Sequence, residues 1–210
     1  MTKKIVLAAD GVGEFSEKKS KFIAYCTRAD DETAAQDFIA KIKKMNRNAT
    51  HNVYAYIVGE KNEIERCSDD GEPSGTAGSP VLEMIKGEGL SHCAVVVTRY
   101  FGGILLGTGG LVRAYGKTAQ LALENTKKAQ LTSGETVCLF MNYELLGKVE
   151  HYLMEENRII DHIEYQNNAA IFCLIPTLER ENFCNIIKEK FPQGVDFNIL
   201  KEKKWITTYL

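Results

Sequence analysis

VVVTRYFGGILLGTGGLVRAYGKTAQLAL, residues 95–123, runs from a β-branched strand through a loop carrying five glycines into an amphipathic helix. Such a loop lets backbone N–H groups approach an anion at the positive end of a helix, so a nucleotide phosphate is the first ligand to test. The spacing matches neither nucleotide motif. A P-loop needs a glycine five residues before its Gly-Lys-Thr, and the position five before Gly116 is Leu111. A dinucleotide fingerprint read from Gly107 and Gly109 needs a third glycine where Val112 stands, and no acidic residue follows at the distance that would hold a ribose.

Working outward, the first half reads as strand 21–29 (KFIAYCTRA), a helix from about Glu32 to Met45 with Ala35, Phe38, Ile39 and Ile42 inward, strand 52–59 and a hairpin partner at 63–68. DDGEPSGTAGSP follows as a polar loop, with Ser79 expected as N-cap and Pro80 at the first position of a short helix that stops at Gly87 or Gly89. Strand 92–100, the glycine loop and a helix from Gly110 to Asn125 complete this half. The polar stretch 127–136 is the expected joint.

The second half is more regular. Val137, Leu139, Met141 and Tyr143 alternate as a strand, and Leu145, Leu146, Val149, Tyr152 and Leu153 share a helical face. Strands at 158–165 and 169–176 flank the turn Gln166–Asn168; Thr177 is the expected cap of a helix with Phe183, Ile186, Ile187 and Phe191 inward, and a last strand begins near Val195. The order β-α-β-β-α-β is the split βαβ of ferredoxin-like domains. The expected class is therefore α+β, with an N-terminal domain over 1–130 and a ferredoxin-like domain over 136–210.

The 210 residues are 44% hydrophobic and 26% charged, an ordinary globular balance. The only apolar run near the start, Ile5–Ala9, is too short for a secretory segment, and a cytoplasmic protein without membrane contact is expected. Six scattered cysteines without a CxxC read as small buried hydrophobes rather than metal ligands, so neither metal nor cofactor is expected. A net charge of −2 excludes a generic nucleic-acid coat while leaving a local basic patch open.

Two loops carry the candidate chemistry. Asp69, Asp70 and Glu72 place three carboxylates in four residues, followed by Ser74, Gly75 and Thr76. They suit metal or acid–base work, or else simply cap N–H groups in a turn; the spacing is not that of an EF-hand. Around the other loop, Arg99 and Tyr100 precede Gly102, Gly103, Gly107, Gly109 and Gly110, and Arg113 and Lys117 follow on the helix. The cations either frame an anion or pair with the acidic loop. His51 and His92 lack a nucleophile-elbow serine to serve, and no catalytic residue is assigned. Charge compensation predicts that loops 69–76 and 102–110 converge at one edge, with Arg99 and Arg113 beside the carboxylates.

HNVYAY (51–56), RCSDDGEPSGTAGSP (66–80) and VVVTRYFGGILLGTGGLVRAYG (95–116) resemble the IMPACT family in its bacterial, YigZ-type form. The resemblance spans roughly residues 18–125. It implies an N-terminal fold shared with a ribosomal-protein domain and the fourth domain of elongation factor G, followed by a ferredoxin-like domain. It further implies a link to translation, since eukaryotic relatives regulate it, with structured RNA, the ribosome or a translation-related protein as partner. A non-catalytic binding protein is the expectation. The alternative is a hydrolase of a phosphorylated or peptidic small molecule that uses Asp69, Asp70 and Glu72. The charged KEKKW (201–205) belongs either to a partner surface or to a solvated end.

Overall fold

The computed structural model describes residues 4–209, except for the side chains of 201–206 and 209, so the side chains of KEKKW lie outside the described residues. The chain forms two compact units, Lys4–Gln130 and Leu131–Thr208.

The first unit is built on an antiparallel sheet of β2 (Gly11–Glu17), β3 (Ser20–Arg28), β6 (Cys93–Tyr100), β4 (His51–Val58) and β5 (Ile64–Ser68), in that spatial order. The central run CAVVV of β6 is buried on both faces. Cys93, Val95 and Val97 pack under α2 (Gly78–Gly87) and α3 (Thr108–Glu124), while Ala94 and Val96 pack under α1 (Glu32–Met45). The helix at α1 follows from its cap and its stripe. Asp31 accepts a hydrogen bond from the Ala34 N–H, and Ala35, Ile39 and Ile42 are buried at helical spacing.

The second unit runs from within β7 (Lys128–Met141) through α4 (Tyr143–Glu155), β8 (Ile159–Tyr165), β9 (Ala169–Pro176) and α5 (Arg180–Lys190) to β10 (Val195–Tyr209). β10 lies beside β7, and the order continues through β9 to β8. This is the ferredoxin-like arrangement, with a core that includes Leu139, Val149, Leu153, Ile171, Phe183 and Ile187.

Several local expectations are corrected. Residues 128–136 are not a loop but the first part of β7, where buried Ala129 and Leu131 alternate with polar neighbours and so supply a strand period. Two strands escaped notice, β1 (Lys4–Leu7) and β2. On β2 the buried positions are Gly11 and Gly13, which carry no apolar side chain to reveal an alternation; a Cβ at Gly13 would lie 2.4 Å from the Ala122 nitrogen, because α3 packs on the strand backbone itself. α2 begins at Gly78 rather than after Ser79, α3 begins at Thr108 rather than Gly110, and the Thr177 hydroxyl donates to Ser133 O instead of capping α5.

Candidate functional site

In the first unit β5 and β6 run in the same direction, each antiparallel to β4 between them. The loops that follow them therefore leave the same edge of the sheet. β3 starts at that edge, since Lys21 is opposite Tyr100, and so does β4, since His51 is opposite Arg99. The acidic loop, the glycine loop, the Lys18–Lys19 turn and His51 thus share one edge.

The carboxylates of the acidic loop are all engaged. Asp69 accepts from the N–H groups of Gly75 (2.8 Å), Ala77 (3.0 Å) and Gly78 (2.8 Å), and so caps α2 from outside the helix. Burial acts to raise its carboxyl, but the three N–H donors prevail and hold it below the ordinary range. Asp70 accepts from the Asn52 N–H at 2.7 Å and from Lys43 Nζ at 2.8 Å. Glu72 Oε1 accepts from Arg99 Nη1 at 2.6 Å and from the Tyr115 hydroxyl at 2.8 Å. Burial, then the Glu72 carboxylate, push the Tyr115 phenol far above its usual range. Ser74 and Gly75 are exposed, and the Thr76 hydroxyl donates to Pro73 O at 2.7 Å.

Arg99 is buried, its guanidinium between the rings of Phe22 and Phe101 at 5.4 and 5.3 Å. Its Nη2 reaches Ser20 Oγ at 3.4 Å, and that hydroxyl also accepts from the Gly102 N–H at 3.2 Å. The Tyr100 hydroxyl donates to Asn46 Oδ1 at 2.8 Å. His51 lies 3.8 Å from Glu72 through Nε2; its Nδ1 faces the Asp70 carbonyl at 2.8 Å and must carry the proton there, because a carbonyl only accepts.

The acidic loop therefore meets the strand before the glycine loop, through Arg99, and the helix after it, through Tyr115. Among the described residues no hydrogen bond or ion pair joins it to 102–110. Arg113 is not its partner, contrary to expectation: Arg99 takes Glu72, Lys43 takes Asp70, and Arg113 points from the exposed face of α3. Lys117 bonds Gln120 at 3.3 Å, and Gln120 bonds Glu124 at 2.7 Å, along the polar stripe.

The glycine loop is fixed by close approach at one point. A Cβ on Gly102 would lie 2.0 Å from the Lys19 carbonyl carbon, so only glycine lets the loop rest on the β2–β3 turn. Gly103 and Gly107 sit at positive φ, 82° and 72°; Gly109 and Gly110 belong to the first turn of α3. Above this contact the loop exposes Phe101 (44%), Ile104 (44%) and Leu105 (81%), beside exposed Lys18 and Lys19. Ile104, Leu105, Lys18 and Lys19 stand outside the residues expected from the sequence. The signal available was an apolar ILL run enclosed by glycines, of which Leu106 reaches the core and Ile104 and Leu105 do not. Among the described residues no group of three His, Cys, Asp or Glu side chains is placed to share a metal ion, and no helix is long and apolar enough to cross a membrane.

Comparison with known proteins agrees with these motifs. Residues 18–123 match the Impact N-terminal domain, and residues 139–191 match a domain of unknown function, DUF1949. The IMPACT family member YvyE of Bacillus subtilis is 41% identical over 179 residues, 85% of this chain and 82% of that protein. YigZ of Escherichia coli is 34% identical over 79% of this chain and 82% of its own length. A crystal structure of a hypothetical protein superposes with a TM-score of 0.64 at 30% identity, covering 96% of this chain and 99% of that one. On the domain match and the identity to these relatives, the chain belongs to the IMPACT family.

Proposed function

We propose that the chain is a non-catalytic binding protein linked to translation, whose Lys4–Gln130 unit contacts structured RNA of the ribosome. The contact uses the edge where the Lys18–Lys19 turn and the glycine loop meet. The observation that carries this reading is an asymmetry in how charge is used. Asp69, Asp70 and Glu72 are each bound by two or three partners inside the protein, whereas Lys18 and Lys19 are exposed beside Phe101, Ile104 and Leu105. Paired lysines supply phosphate contacts, and an exposed aromatic beside them supplies a stacking surface. The link to translation rests on the family resemblance.

The hydrolase alternative needs at least one of the three carboxylates available as acid, base or ligand. Their occupied geometry weighs against it: freeing Glu72 would strand Arg99, and freeing Asp69 would uncap α2. The test is sedimentation of the protein with ribosomes in sucrose gradients at low and moderate salt. Co-migration that weakens with salt is expected. Absence from every ribosomal and RNA-bound fraction at both salts overturns the reading.

A further inference from the structure

α3 has an outer face that the RNA reading does not use. Val112, Arg113, Gly116, Lys117 and Gln120 form one stripe, and with Phe15 and Glu17 of β2 and Met84 of α2 they line a groove of 590 Å³. Its apolar part is Phe15, Met84 and Val112, the last 41% exposed. Gly116 lines the same groove, and a Cβ built there meets nothing within 4 Å, so the chain leaves this space unfilled. The cost of a glycine inside a long helix is not offset here by any close approach.

The rim is charged unevenly. Arg113 and Lys117 stand one turn apart, and neither ion-pairs with a carboxylate among the described residues. By contrast, Lys21 pairs with Glu14 at 2.9 Å and Lys86 with Glu65 at 2.6 Å. The first turn of α3 holds no acidic residue and its N-cap makes no side-chain bond, so the start of the helix offers these cations no counter-charge. Glu17, on the β2 side, is the lone acidic group lining the groove.

We propose that this groove docks a short segment of a partner protein in which an apolar side chain is flanked by carboxylates. The apolar side chain occupies the space over Gly116 among Phe15, Met84 and Val112, and the carboxylates pair with Arg113 and Lys117. Charge complementarity selects this occupant over a basic or purely apolar one. The proposal does not depend on RNA binding at the glycine-loop edge, which uses other residues.

The experiment is fluorescence polarisation of the full chain with two fluorescein-labelled hexapeptides, Asp-Glu-Leu-Phe-Glu-Asp and its counterpart with every acid replaced by lysine. Saturable, salt-sensitive binding of the acidic peptide alone is expected. Arg113→Glu with Lys117→Glu weakens it by about tenfold or more, as does Gly116→Phe, which fills the groove. Thermal melting verifies that the variants fold; should Gly116→Phe fail to, Val112→Asp at an exposed position carries the same expectation. Absent binding, preference for the lysine peptide, or unchanged affinity in a folded groove-blocked variant overturns the proposal. So does displacement of the peptide by ribosomal RNA together with loss of RNA binding in the Arg113/Lys117 variant, which would give the groove to RNA. Self-association abolished by Gly116→Phe, which would give it to a second copy, overturns it equally.

Discussion

Arg99 Nη1 lies 2.6 Å from Glu72 Oε1 with side chains 5% and 4% exposed, a buried ion pair that ties the end of the central strand to the acidic loop. Tyr115 donates to the same carboxylate oxygen from α3. One glutamate thus joins three elements. Removing either charge strands the other without water, so Arg99→Ala or Glu72→Ala is predicted to cost about 3–5 kcal/mol. Tyr115→Phe, which keeps the ring and loses one bond to a charged group, is predicted to cost about 1.5–3 kcal/mol. Denaturant unfolding of the three variants checks both the sizes and the order; an Arg99→Ala loss below that of Tyr115→Phe contradicts the account.

Asp69 gives a pH signature. Burial raises its carboxyl and the N–H groups of Gly75, Gly78 and Ala77 more than reverse this, leaving it lowered in the folded protein. A group lowered on folding stabilises above its unfolded pKa and loses that contribution as pH falls through the folded value. Asp69→Ala is therefore predicted to cost about 1–2 kcal/mol near neutral pH, as loss of a helix cap does. The gap between parent and variant should close as pH falls below the ordinary carboxylate range. Urea unfolding at several acidic pH values measures it, and a gap that widens in acid reverses the assignment.

Two glycines should respond in opposite directions. Gly102→Ala forces a Cβ into the Lys19 backbone and is predicted to destabilise by about 1–3 kcal/mol. Gly116→Ala adds a methyl into open space within α3 and is predicted to stabilise by about 0.5–1 kcal/mol. Melting temperatures of the pair read both signs in one experiment.

The cysteines offer an independent check on the packing. Only Cys67 is exposed; the other five thiols are buried, and burial pushes Cys26 up to about 12. A thiol reagent at neutral pH is predicted to titrate one group in the folded protein and all six after denaturation. Rapid native reaction of more than one thiol would contradict the burial.

What could be read from the sequence was whatever local period and capping specify. α1 was legible because Asp31 and the Ala35, Ile39, Ile42 stripe are neighbours in the chain. The ferredoxin-like order was legible because each of its elements carries its own apolar period. β2 was not, because its inward positions at 11 and 13 are glycines. The start of β7 was not, because Lys, Gln, Thr and Ser mask a short alternation. At the site, the shared edge was expected from charge compensation and is delivered by strand order, but the partners were not legible. Asp69 reaches nine residues ahead to cap α2, and Asp70 takes a lysine 27 residues earlier, pairings that only tertiary packing decides. Tyr115 is a core residue, and its hydroxyl partner has no local signature.

The central claim is that the Lys18–Lys19 edge binds RNA, and the most direct measurement is filter binding of ribosomal RNA by the full chain across a series of salt concentrations. Each phosphate contact contributes a slope of about −0.9 in log affinity against log salt on duplex nucleic acid. The account predicts measurable, salt-dependent binding by the parent, and a slope shallower by about 2 in Lys18→Gln with Lys19→Gln. A parent that does not bind, or a double variant with the parent's affinity and slope, would contradict it.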